Sequence, residues 1–245
     1  MLLKTSAQAR EFGSRTAYEL ENAGCDEAVR LLNEILGERT PFRLLDIVGA
    51  RLSQSDEGKV NELLDAIAAQ GSEGGWVVIA SALCEHLDND LTGALEASRG
   101  YIVQADIWYG CDIFGERVPG PALLAHFEES LECLASWRAD ENRWVRRSVG
   151  VAGHFWAKRR HGDTQFEAQA RQLLDFLSPM LEDRDMDTAK GVGWALKSMG
   201  RYYPQIAGAW LEEQLLVQQR KPAAIVKRKA LRFLPDEIKK KFQGG

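Results

Sequence analysis

The sequence predicts an all-α protein built of stacked helical hairpins. Apolar residues recur along nearly the whole chain at the roughly 3.6-residue helical period, as in Phe166, Ala170, Leu173, Leu174, Leu177 and Leu181. Strict apolar–polar alternation over strand length is hard to find, and no Asn-Gly or Asp-Gly pair lies between β-branched runs. Prolines sit at the edges of the periodic segments, where a missing amide is tolerated in the first helical turn.

Taken in order, the pattern places helices near 5–22, 26–36, 41–53, 57–69, 73–87, 91–103, 106–115, 120–137, 141–160, 165–181, 186–202, 205–218 and 222–233. Pro41, Pro119, Pro121, Pro204, Pro222 and Pro235 punctuate this series, whereas Pro179 falls less clearly. The loops are short, which favours antiparallel neighbours and hence helical hairpins. An internal echo supports repetition. The run from Asp140 through Arg146, Arg147 and Val149 aligns with the run from Asp183 through Lys190 and Val192 at an offset of 43, with the order acidic start, basic middle, Val-Gly-apolar. The basic run from Val226 falls one further unit on, Lys190 and Lys229 being 39 apart. Spacings near 40 suit HEAT-like repeats, so a single repeat domain over 1–245 is expected.

Composition bounds the function. With 45% apolar and 27% charged residues, disorder over most of the chain is excluded. The longest nearly unbroken apolar run, 76–84, is far below the ~20 residues needed to span a bilayer. The first residues lack a signal-peptide core and cleavage site, so a cytoplasmic location is expected, with a monomer as the default. Cys25, Cys84, Cys111 and Cys133 form no regular pairs and read as buried thiols. His86, His126, His154 and His161 lie far apart, with no metal spacing, and read as surface or packed histidines; no cofactor is expected.

The net charge of −5 conceals a division. Residues 1–140 carry 11 basic and 24 acidic side chains, residues 141–245 carry 20 and 12. If the repeats stack in register, Arg146, Arg147, Lys190, Lys227, Arg228 and Lys229 form a basic stripe suited to a phosphate backbone. Taken singly, each is an ordinary solvated cation. Trp108 and Asp112, four apart, share a helix face, so an aromatic plane and a carboxylate can serve one site; taken alone, that pair reads instead as a half-buried Trp beside a capping or paired Asp.

Four segments, in order, resemble the bacterial alkylpurine DNA glycosylases of HEAT-like repeat architecture, the AlkD type. Glu38-Arg-Thr-Pro-Phe-Arg43 is similar to the family's R-T-P-x-x-R, Trp108-Tyr-Gly-Cys-Asp112 to its W-x-x-x-D, Asn142-Arg-Trp-Val-Arg-Arg147 to its N-x-W-x-x-R, and Lys190-Gly-Val-Gly-Trp194 to its K-x-x-G-W. The resemblance implies a right-handed α-solenoid of HEAT-like helical-hairpin repeats with a concave basic face. It implies Asp112 as the catalytic carboxylate, Trp108 and Trp194 as aromatic walls at the lesion nucleotide, and Arg147 as a DNA-backbone contact. The substrate so implied is duplex DNA carrying an N3- or N7-alkylated purine, whose cationic base leaves neutral without metal or organic cofactor. The place after Trp108, commonly acidic in that family, is Tyr109 here, and the acidic N-terminal part is the other departure. The rival class is a non-catalytic solenoid paralogue that binds damaged or branched DNA or a protein partner.

Overall fold

A computed structural model describes residues 2–37 and 39–242. Among the described residues every regular element is helical. The chain divides into two compact units, Met1–Val118 and Pro119–Gly245.

The first unit contains α1 (Ser6–Asn22), α2 (Cys25–Leu36), α3 (Phe42–Leu52), α4 (Glu57–Ala68), α5 (Glu73–Cys84), α6 (Leu91–Ala105) and α7 (Trp108–Arg117). Helices α1, α3, α5 and α7 pack in succession as one row, and α2, α4 and α6 as a second. Local sequence sets the helix starts. Thr5 and Gln8 close a capping box on α1, and the side chains of Asp56, Ser72 and Asp90 accept from backbone amides in the first turns of α4, α5 and α6. In α2 the residues Ala28, Leu31, Leu32 and Ile35 are all fully buried, one face of the helical period. Removing each Leu or Ile side chain from water contributes roughly 1.5–3 kcal/mol. Helix α5 is apolar all round because α3 covers it on one side and α7 on another, burying 75–83 throughout.

The second unit contains α8 (Pro119–Ala125), α9 (Phe127–Leu134), α10 (Arg143–Arg160), α11 (Glu167–Leu177), α12 (Met186–Tyr202), α13 (Pro204–Glu212), α14 (Ala224–Ala230) and α15 (Asp236–Lys239). Here α8, α10, α12 and α14 form one row, with α11 against α13 behind it. The sequence echo is visible as geometry. Asp140 and Asp183 each accept, at 2.8 Å, the amide two residues on, and Asn142 and Asp185 then cap α10 and α12. The third copy has lost this device, since Ala223, the residue before α14, supplies no side-chain cap. Hydrogen bonds between neighbouring repeats keep the same spacing: Lys59 to Glu21, Tyr101 to Asp65, Arg146 to Asp183 and Lys229 to Lys190 are separated by 36–39 residues.

Several expected bounds are corrected. The predicted helix 120–137 breaks at His126, because the Leu124 carbonyl accepts from Arg160 at 2.5 Å instead of continuing the helix. The predicted 205–218 ends in a π-helical turn, Glu213–Val217, and 222–233 shortens to α14. Pro179 lies in a 3-10 turn, Ser178–Met180. Helix α15 carries no strong period and was not expected. Of the four cysteines, none of them disulfide-bonded, only Cys111 is buried; Cys25, Cys84 and Cys133 are half-exposed. Burial and nearby carboxylates still push the Cys84 thiol up to about 11.

Candidate nucleic-acid interface

In the first unit the candidate residues gather at the start of α7. Ile107, extended, precedes the helix without a side-chain cap, and Trp108 as first helical residue stays 57% exposed. That is unusual for the largest apolar side chain, which normally buries. Tyr109 meets Trp108 edge to face at 5.7 Å. Asp112 lies one turn on, half-buried, on the same face. The base of the helix is held firmly. Arg117 donates to Asp46 of α3 at 2.7 Å, and Ser81 of α5 donates to the same carboxylate oxygen at 2.9 Å. Glu38, first residue of the R-T-P segment, lies outside the described residues. Thr40 of that segment is buried and donates to the Ile35 carbonyl, so it joins α2 to α3, while Arg39 and Arg43 are exposed.

In the second unit the candidates come from three successive helices of one row. The crossing of α10 and α12 is glycine-mediated. A Cβ on Gly150 would lie 2.5 Å from the Gly191 oxygen and the Val192 nitrogen, and one on Gly191 would lie 2.6 Å from the Arg147 oxygen. Close backbone approach fixes what flanks it. Arg147 is buried to 7% exposure against the start of α12, donating to the Asp187 carbonyl at 3.4 Å. Read singly it is a surface cation, which the geometry corrects. Lys190 pairs with Asp187 at 3.0 Å, and Lys229 of α14 donates to the Lys190 carbonyl at 2.9 Å. Arg147, Lys190 and Lys229 are therefore brought together. Arg146 instead turns to Asp183 at 2.8 Å and the Asp140 carbonyl. Lys227 lines a cavity with Lys221, Lys241 and Phe242, and Arg228 is exposed. Trp144 is 6% exposed with Arg143 over its ring.

Trp194 is half-buried, and its partner is a residue that sequence reasoning left unassigned. The His154 ring stacks on the indole with centroids 4.2 Å apart and planes 20° apart. His154 is itself 8% exposed, and its Nδ1 shares a 2.7 Å hydrogen bond with Ser198 Oγ. Burial first, then Lys158, Lys197 and Lys229, lower its pKa to about 4, so the imidazole is neutral at ordinary pH. The available signal was the separation of 40 between His154 and Trp194, close to the repeat offsets of 43 and 39.

With this geometry in hand, the chain matches the DNA alkylation repair enzyme family over residues 43–234. It belongs to that family. The match covers most of the chain and contains the Trp108–Asp112, Asn142–Arg147 and Lys190–Trp194 segments, while Arg39 to Phe42 precede it. Family membership implies action on DNA. Comparison with curated proteins and comparison with solved structures each gave no match. No described helix is long and apolar enough to cross a membrane.

Proposed function

We propose that this DNA alkylation repair family member is a monofunctional glycosylase that hydrolyses the N-glycosidic bond of N3- or N7-alkylated purines in duplex DNA, in base-excision repair. The observation that carries the reading is Trp108, left 57% exposed one turn from the half-buried Asp112. A packed core aromatic would bury; a surface that grips a nucleotide keeps its ring in solvent.

The chemistry suits these residues. An alkylated purine is already a cation and departs as a neutral base, so little general-acid help is needed. The costly part is the oxocarbenium-like charge that grows on the sugar. Asp112 stabilises that cation and orients the attacking water, which loses its proton as the new C–O bond forms. Indole faces complement the same charge at ~0.5–2 kcal/mol per good contact. The exposed Arg228, with the half-exposed Lys190 and Lys229, meets phosphates, and the protein acts as a monomer.

The test is release of free base from duplex DNA containing N7-methylguanine or N3-methyladenine at low salt. Asp112→Asn should slow release by about 10²–10³ while holding duplex affinity within about twofold. Undiminished release by Asp112→Asn removes the carboxylate assignment. Duplex binding by the wild-type chain with no release at all replaces the enzyme with a non-catalytic DNA-binding solenoid, and Tyr109 becomes the first position to revert to an acid.

A further inference from the structure

Resting on the reading that Trp194 borders the lesion nucleotide, we infer that His154 is a positioning residue which presents the Trp194 indole, backed by the stacked imidazole, to a cationic sugar. Three facts converge on it. The imidazole covers one indole face in near-parallel contact at 4.2 Å, while Trp194 as a whole stays only half-buried. Ser198, one turn beyond Trp194 on α12, holds the imidazole through Nδ1 at 2.7 Å, which fixes the ring plane and therefore the indole plane. The glycine crossing at Gly150 and Gly191 locks the two helices that carry the pair.

The charge state gives this stack its purpose. An aromatic ring attracts a cation through the negative face of its quadrupole. A charged imidazolium on the first face would occupy that attraction and repel a second cation arriving on the other. The groups around His154 guard against this. Lys158 lies on its own helix, Lys197 on α12 and Lys229 on α14, and with burial they keep the proton off. The stack thus leaves the indole available for the one feature that separates the reacting nucleotide from an ordinary one, a positive sugar.

The experiment compares affinity for two duplexes, one bearing a pyrrolidine abasic mimic, cationic at neutral pH, and one bearing the uncharged tetrahydrofuran mimic. Thermal unfolding and base release are measured on the same proteins. Wild type should favour the cationic duplex by about tenfold. His154→Ala should lower that ratio about fourfold, the remainder resting on Asp112, and His154→Phe, which restores a neutral ring, should regain most of the loss. Ser198→Ala, removing only the hydrogen bond, should reduce the ratio about threefold and decides the matter if His154→Ala does not fold. A His154→Ala ratio equal to wild type overturns the inference even if its unfolding temperature falls, because packing alone moves stability and not charge preference. A wild-type ratio of unity overturns it as well. Cation preference lowered in His154→Ala but present in a wild-type chain that releases no base supports the positioning role and removes the glycosylase reading.

Discussion

Met1–Val118 and Pro119–Gly245 use the same device to bring helices close, and attach different chemistry to it. In the first unit a Cβ on Gly49 of α3 would collide with the Val78 carbonyl of α5 and lie 2.9 Å from the Ser81 side chain. The polar groups beside that crossing, Asp46, Ser81 and Arg117, satisfy one another. Trp108 stands away from it, at an uncapped helix start, touched by Tyr109. In the second unit the Gly150–Gly191 crossing sits among Arg147, His154 and Trp194 themselves. One aromatic is set by a helix terminus and the other by a packed stack. A site residue on a terminus can adjust to its ligand, whereas one on a close crossing is preorganised.

The largest expected effect separates these two arrangements. Gly49→Ala and Gly150→Ala introduce comparable clashes with backbone, and each should cost about 2–3 kcal/mol in denaturant unfolding. Base release, measured where both variants are folded, should fall more than tenfold only in Gly150→Ala, since only that crossing carries candidate site residues. Equal losses of release in the two variants would erase the distinction drawn between the units.

A smaller effect comes from pH. His154 titrates at the ordinary 6.5 when unfolded and at about 4 when folded, so between those values the unfolded chain binds a proton the native chain does not. Stability from this group is therefore complete above pH 6.5 and drains away as pH falls toward 4. Allowing for solvent screening, the loss amounts to about 1–2 kcal/mol. Thermal unfolding of wild type and His154→Phe across that window should show a steeper slope in the first than in the second, because the carboxylates contribute equally to both. Parallel curves would mean that the imidazole is not buried neutral.

Much of this was legible in the sequence because helical periodicity and the offset of 43 are local or nearly local signals. The helices α1 to α7 fall close to their expected bounds, and the echo from Asp140 to Asp183 is a repeated cap. What was not legible depends on long-range partners. The break at His126 is made by Arg160, which is 36 residues from the carbonyl it takes. The stacking of His154 on Trp194 and the burial of Arg147 likewise depend on how closely α10 and α12 approach, which glycines permit but do not announce. The half-exposure of Cys25, Cys84 and Cys133 follows from which helix faces the neighbouring row leaves uncovered.

The smallest effect concerns neighbours in charge that differ in circumstance. Arg146 and Arg228 are both on the row of α10, α12 and α14, and both belong to the basic stripe read from the sequence. Arg146 is mostly enclosed, with its guanidinium on Asp183 and on the Asp140 carbonyl, tying the start of α10 to the loop before α12. Its positive charge is already answered by a carboxylate, so little remains to attract a phosphate. Arg228 is exposed, and its charge projects into solvent. Arg146→Ala should therefore cost about 1–3 kcal/mol in stability and leave the salt dependence of duplex binding unchanged. Arg228→Ala should change stability by less than about 0.5 kcal/mol and reduce the slope of log affinity against log salt by about one, the signature of a lost phosphate contact. The opposite assignment of slope and stability would show that the ion pair to Asp183 opens when DNA binds, and that enclosure in the free protein is a poor guide to which cations meet the backbone.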